Sequence, residues 1–426
     1  MKRGFHTIMS AQFFSSLADN ALFVAAVELL RTSGAAEWQR AALVPMFALF
    51  YVVLAPFVGA FADSLPKGRV MFVSNSIKVV GCLAMLFGTH PLAAYAIVGL
   101  GAAAYSPAKY GILTELLPAS QLVKANGWIE GLTIASIILG VLLGGQLMAP
   151  HIAPLLLGID VPGVDTGIRT PAEAAIAAMV LLYVIAAIFN LRIPRTQALL
   201  QPLPADPRVL VRDFMSCNAR LWNDHLGQIS LATTTLFWGV SGNLRYIVLS
   251  WAAAALGYGT TQASALVGVV AVGTAVGAVL ASWRMQLHQA TAVIPVGVAM
   301  GLLVICMNAI DTVQLAVPFL ILLGGLGGFL VVPMNALLQH RGHNLMGAGR
   351  SIAVQNFNEQ ACILALGAFY VGMTRWGMSA FGAITVFGIA VAGAMVLIGL
   401  RHRANVRRHP DEVARQFAHS RMDELH

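Results

Sequence analysis

Charge is what this chain has least of. Only 10% of its 426 residues are Asp, Glu, Lys or Arg, against about 25% in a soluble protein. With 58% apolar residues and a mean hydropathy of +0.77, no soluble core can absorb the apolar surface, so the solvent is lipid. Cysteine is also scarce. Cys82, Cys306 and Cys362 fall in apolar runs and Cys217 in a loop, which argues against a disulfide framework. Alternating ten-residue segments of the barrel type are missing, leaving an all-α membrane protein. A cleavable leader is not expected either: the first apolar run is long enough to span and lacks a small-residue cleavage site.

What is present is a series of apolar runs, each near the ~20 residues needed to cross a bilayer as a helix. Twelve are found, at 8–32, 39–62, 70–88, 91–115, 122–149, 171–192, 228–256, 261–284, 290–309, 313–338, 347–374 and 378–400. The pattern breaks once, where PRTQALLQPLPADPRVLVRDF leads a stretch from 194 to 227. The expected organisation is therefore a six-helix bundle over 1–193, a cytoplasmic linker over 194–227, a second six-helix bundle over 228–403 and a cytoplasmic tail over 404–426. Within the linker, Leu210, Phe214 and Leu221 recur at near-helical spacing. They fit an amphipathic helix on the inner membrane surface or an ordered linker touching no lipid. Placing both termini in the cytoplasm puts 19 of the 26 Lys and Arg inside and only Arg31, Arg40, Arg169 and Arg375 outside, as the positive-inside rule requires. The pI near 9.6 then reflects topology and attraction to membrane lipids, not nucleic-acid binding.

The few charges that enter the apolar runs carry the most information. Asp19 lies about eleven residues into the first run and Arg245 well inside the seventh, 226 positions later. The same offset relates Gly99, Gly101 and Pro107 to Gly325, Gly327 and Pro333, and Lys124 to Arg350. An internal duplication thus places an acid and a base at equivalent positions. An ionised side chain in hydrocarbon costs roughly 3 kcal/mol even on lenient insertion scales, so such a pair has a functional reason. A buried Asp19–Arg245 ion pair joining the halves is one reading; charges that meet a charged ligand is the other. Glu359, about twelve residues into the eleventh run, belongs with them. Glu28 and Glu115 fall near predicted helix ends and are expected to reach water. Lys78 is expected to snorkel toward an interface, and Glu130 to pair with Lys124 or Lys109. The glycines of runs four and ten, Gly324 to Gly328 among them, predict close helix packing and not a phosphate loop, since no strand precedes them.

The loop after the second run reads Gly59-Ala-Phe-Ala-Asp63-Ser-Leu-Pro-Lys67-Gly68-Arg69. Gly59 allows a neighbouring helix to approach, Asp63 can cap or pair at a helix end, and Arg69 supplies a partner charge, with Lys67 in the same cluster. This spacing, with six spans repeated in parallel, resembles the major facilitator superfamily, whose sites lie near the midplane between the halves. The cluster is assigned to gating.

A narrower resemblance covers about residues 8–148 and 228–370. Ala11-Gln12-Phe13-Phe14 through Asp19-Asn20-Ala21-Leu22, Ala55 to Gly59, Lys67-Gly68-Arg69, GAAAYSPAKYGIL from Gly101, Leu122 to Gly127, Leu236-Phe237-Trp238-Gly239, PMNALLQ from Pro333 and Ala353-Val354-Gln355-Asn356 are similar to the bacterial lysophospholipid transporter family. The segment 150–170 looks like an additional external loop. The resemblance implies flipping of lysophosphatidylethanolamine and lysophosphatidylglycerol from the outer to the inner leaflet of the inner membrane, where a separate acyltransferase partner restores the missing chain. It implies a substrate site of Asp19, Lys109, Arg245 and Glu359, to which Asn20 and Tyr105 are added from the matching motifs. Arg245 can hold a phosphate through two parallel hydrogen bonds, with Lys109 as a second cation, while Asp19 and Glu359 receive an ammonium. One chain encloses a complete pathway, so a monomer is expected, without cofactor or metal; His340 and His343 lack the spacing of a metal site. An acyltransferase is disfavoured because none of the eleven histidines is followed by Asp five positions on. The remaining alternative is a proton-coupled drug or metabolite exporter on the same scaffold.

Overall fold

Each of the twelve apolar runs falls on helix. The computed structural model describes residues 3–35, 37–158, 167–258 and 260–425. In chain order the helices are α1 (Arg3–Thr32), α2 (Glu37–Val53), α3 (Ala55–Ser64), α4 (Lys67–Leu86), α5 (Pro91–Leu116), α6 (Ala119–Leu147), α7 (Ala153–Leu157) and α8 (Pro171–Leu191). There follow α9 (Pro207–Asn223), α10 (Gly227–Leu256), α11 (Thr260–Arg284), α12 (Ile294–Cys306), α13 (Val313–Met346), α14 (Ala348–Arg375), α15 (Ala380–Arg408) and α16 (Pro410–Leu425). Among the described residues eight helices are long and apolar enough to cross a membrane, or nine if α2 and α3 form one bent span. The three other expected spans, α5, α10 and α14, carry Lys109, Arg245 and Glu359.

The second run is one stretch in sequence but two helices in space, bent by 69°. Pro56 sits in the first turn of α3, where its missing N–H removes a helical hydrogen bond and breaks the ladder. The ninth run is likewise composite: 3₁₀ turns at Leu287–Val293 and Met307–Ala309 flank α12. Of the expected external loop, residues 159–166 lie outside the described residues; the short α7 precedes them.

The chain divides into two compact units. The first comprises Met1–Glu115, Ala135–Phe214 and Ala348–Ala353, the second Leu116–Ile134, Met215–Gly347 and Val354–His426. In the first, Ala18, Ala21, Leu22, Ala25 and Leu30 of α1 pack with Cys82 and Met85 of α4, Tyr95 and Val98 of α5, and Ile176, Met179 and Tyr183 of α8. Small side chains along α1 let its neighbours come close: a Cβ on Gly140 or Gly144 of α6 would stand 2.7 Å from Leu17 O or 2.8 Å from Ala21 O. In the second unit Gly273 and Gly277 of α11 meet Gly324 and Gly328 of α13. A Cβ on Gly277 would lie 1.9 Å from Gly325 O, and one on Gly328 2.1 Å from Thr274 O. Two paired small-xxx-small faces hold these helices backbone to backbone, as the glycine-rich tenth run predicts.

The linker helix is α9, and Leu210, Phe214 and Leu221 are all buried within the protein. All four cysteines are free thiols.

Candidate functional site

The first unit contains a buried charged centre built from three helices. Ser15 and Asp19 are one helical turn apart on α1, and Asn75 and Lys78 nearly so on α4, so each helix presents two polar groups on one face. The Lys78 ammonium donates to both Asp19 carboxylate oxygens at 2.8 Å and to Ser15 Oγ at 3.0 Å. Ser15 Oγ in turn donates to Asn75 Oδ1 at 2.8 Å. From α8, Tyr183 donates its hydroxyl to Asp19 Oδ1 at 2.6 Å. The ammonium also lies 5.1 Å from the Tyr105 ring centroid and 5.4 Å from that of Tyr183, within cation–π range. Gly101 admits this arrangement, because a Cβ there would stand 2.6 Å from Ser74 O and 2.7 Å from Lys78 Cγ.

Lys78 therefore does not snorkel. Its side chain is 1% exposed while that of Asp19 is 21% exposed. A buried ammonium this far from water persists only because every proton finds an acceptor. The repeat offered an Asp19–Arg245 pair as one of two readings; among the described residues the cation in contact with Asp19 is Lys78. The signal was absent, since Lys78 has no basic counterpart in the repeat: 226 positions on stands Val304. Arg245 lies in α10, but its side chain is outside the described residues, as is that of Glu130.

Tyr105 joins the centre through its ring, and its buried hydroxyl has no hydrogen-bond partner among the described residues. Asn20 turns back on its own helix, donating to Ser16 O at 2.8 Å. Lys109 is buried one turn beyond Tyr105, with its ammonium 4.0 Å from the Tyr110 ring centroid.

In the second unit Glu359 is buried and accepts from Gln355 Nε2 at 2.7 Å. The same amide donates to Asn335 Oδ1 at 3.0 Å. Gln339 and Asn126 exchange two hydrogen bonds of 2.9 Å. Sequence reasoning gave these four amides no role, although all four lie in motifs that carry the family resemblance (PMNALLQ, Ala353 to Asn356 and Leu122 to Gly127).

The expected gating cluster is assembled, with a different set of cations. Asp63, at the end of α3, accepts from the main-chain N–H of Gly349 at 2.8 Å and of Arg350 at 3.1 Å. A carboxylate thus caps the first turn of α14, where unpaired N–H groups and the helix dipole favour it. Lys67 donates to Asp63 at 2.8 Å and to Ala62 O at 2.7 Å, and stands 3.3 Å from Glu115. Arg350 donates to Asp213 at 2.6 Å and to Gln201. Gln201 N donates to Asp63 O at 2.9 Å, and Thr196 to Glu115 at 2.6 Å, so the linker is tied into the cluster. Gly59 provides the contact: a Cβ there would lie 2.8 Å from Ala353 Cβ.

Two expectations fail here. The Arg69 side chain is exposed and makes no hydrogen bond among the described residues; the partner charges come from Lys67 and Arg350. Glu115 is not solvated but 7% exposed and paired, because α5 ends against Lys67. Glu28 does reach water, paired with Arg31 at 2.6 Å on the surface.

Comparison with known proteins gives one answer at two levels of similarity. Residues 8–362 match the family model described as Major Facilitator Superfamily. The lysophospholipid transporter LplT of Yersinia enterocolitica serotype O:8 / biotype 1B is 42% identical over 373 residues, covering 87% of this chain and 87% of that protein. That of Yersinia pestis strain Pestoides F is 40% identical over 378 residues, covering 88% of each. Among solved structures, the human organic anion transporter MFSD10 (TETRAN) superposes with a TM-score of 0.75 over 94% of this chain and 100% of its own, at 14% identity. A bacterial homologue of the iron transporter ferroportin gives 0.70 over 96% and 100%, also at 14%. At that identity the structures speak for the fold alone.

Proposed function

Because the chain belongs to the major facilitator superfamily and, within it, to the lysophospholipid transporter family, we propose that it flips lysophospholipids across the bacterial inner membrane. Lysophosphatidylethanolamine and lysophosphatidylglycerol move from the outer to the inner leaflet by alternating access, without bond-making, and a separate acyltransferase then restores the second chain. The protein works as a monomer.

The observation that carries this reading within the structure is the Asp19–Lys78 centre. Its carboxylate is the partly exposed member and its ammonium the buried one. An incoming ammonium can approach Asp19, while Lys78 keeps the carboxylate compensated before and after the headgroup passes. In this reading Asp19, Tyr105 and Lys109 of the first unit and Arg245 and Glu359 of the second handle the headgroup charges. The Asp63 cap on α14 is the latch that forms and breaks in each cycle. The acyl chain needs only apolar surface.

Proteoliposome flipping of labelled lysophosphatidylethanolamine tests the assignment. Asp19→Asn and Arg245→Ala are expected to lose most of the rate while remaining folded. Full activity in both folded variants would remove the site from these residues. Proton-coupled export on this scaffold, with Asp19 or Glu359 as the proton carrier, is the alternative that the same assay with an uncoupler separates.

A further inference from the structure

The tail of the chain forms a cluster that transport does not use. Helix α15 runs to Arg408, and after His409 the chain turns into α16. Val413 of α16 is buried, and Gln416 Nε2 donates to Asp224 Oδ2 at 3.0 Å. Asp224 is fixed in place: Arg341 donates to it at 3.0 and 2.5 Å, and Gly227 N at 2.7 Å. The next residue, His225, has its main-chain oxygen held by Asn405 Nδ2 at 3.0 Å. Its Nε2 stands 3.2 Å from Glu412 Oε2, and its ring stacks on that of His409 with centroids 4.5 Å apart and planes at 18°. One ligating atom from each of His225, His409 and Glu412 lies within 4.8 Å of the other two.

We infer that His225, His409 and Glu412 bind a divalent transition cation of the zinc class, which fastens the tail helix α16 to the start of α10. Two imidazole nitrogens and a carboxylate oxygen are the donor set such ions prefer, with a fourth position left for water. Donors at 2.0–2.1 Å from a tetrahedral ion stand about 3.3 Å apart, and the 3.2 Å between His225 and Glu412 already matches that edge. His409 is exposed, so its ring can swing the further ångström or so that the third edge requires. His225 is pre-positioned by contacts that do not involve the ion. Spacing alone could not reveal this site, since its first ligand precedes the second by 184 positions.

The test uses the full chain, purified without a polyhistidine tag, stripped with chelator and titrated with Zn²⁺ alone. One equivalent is expected to bind, and affinity is expected to fall at least tenfold in His409→Ala and in Glu412→Gln, while His151→Ala binds as the parent does. His409 and Glu412 are exposed, so these variants fold. Limited trypsin digestion gives a second readout: zinc is expected to slow cleavage after Arg415 at least fivefold in the parent and not in His409→Ala. Absence of stoichiometric binding, binding unchanged in both variants, or tail protection indifferent to zinc would each overturn the site. The last result would mean that the His225–Glu412 contact is an ion pair only.

Discussion

Replacing Lys78 by Met keeps most of the stem and removes the ammonium. Asp19 then retains Tyr183 as its hydrogen-bond donor, in a helix packed against apolar neighbours. Removing one member of a fully buried ion pair costs about 3–5 kcal/mol. Asp19 exposes 21% of its side chain, so water compensates part of the loss and the lower end, about 3 kcal/mol, applies. That is roughly a hundredfold in the folding equilibrium. Asp19→Asn alone leaves the Lys78 ammonium buried at 1% exposure and is expected to cost a similar amount. The double variant removes both orphan charges, so the two losses do not add, and a coupling energy of about 2 kcal/mol is expected. Denaturant or thermal unfolding of the four proteins in detergent gives the cycle. Additive losses, with coupling below about 0.5 kcal/mol, would refute the pairing. A mild Lys78→Met beside a severe Arg245→Met would restore the pairing that the repeat suggests.

Other perturbations follow the same logic. Asp63→Ala removes the cap on α14 and the partner of Lys67; with a cap alone worth about 0.5–2 kcal/mol, flipping is expected to fall several-fold with little change in expression, and an unaltered rate would separate this cluster from gating. Gly101→Ala forces a Cβ to within 2.6 Å of Ser74 O and is expected to cost about 1–3 kcal/mol in thermal stability. Gly131→Ala, which meets nothing within 4 Å, serves as its neutral control. Gln355→Leu strips a donor from Glu359 and Asn335 and is expected to cost about 1–3 kcal/mol, visible as a lower unfolding midpoint.

How much of this was legible depends on range. Apolar runs are local, and all twelve fall on helix, including the composite ones; the division of the second run into α2 and α3 at Pro56 was not anticipated. Asp19 was legible because a lone acid in hydrocarbon is conspicuous wherever it pairs. Its contact with Lys78 was not, because a contact between helices 59 positions apart leaves no periodic trace. The Asp63 cluster shows the same division. Its acid and glycine could be read from the loop, but the cap on α14 and the arginine at 350 come from the far end of the chain. Exposure of Arg69 follows from the same geometry, since Lys67 already occupies the acid.

The central claim is translocation of a lysophospholipid headgroup past a pre-compensated charge, without an obligatory ion gradient. Labelled lysophosphatidylethanolamine flipping in proteoliposomes, with and without an uncoupler, tests it most directly. The expected result is protein-dependent flipping that the uncoupler leaves unchanged and Asp19→Asn abolishes. Flipping that collapses with the proton gradient, or persists at full rate in folded Asp19→Asn, would contradict it.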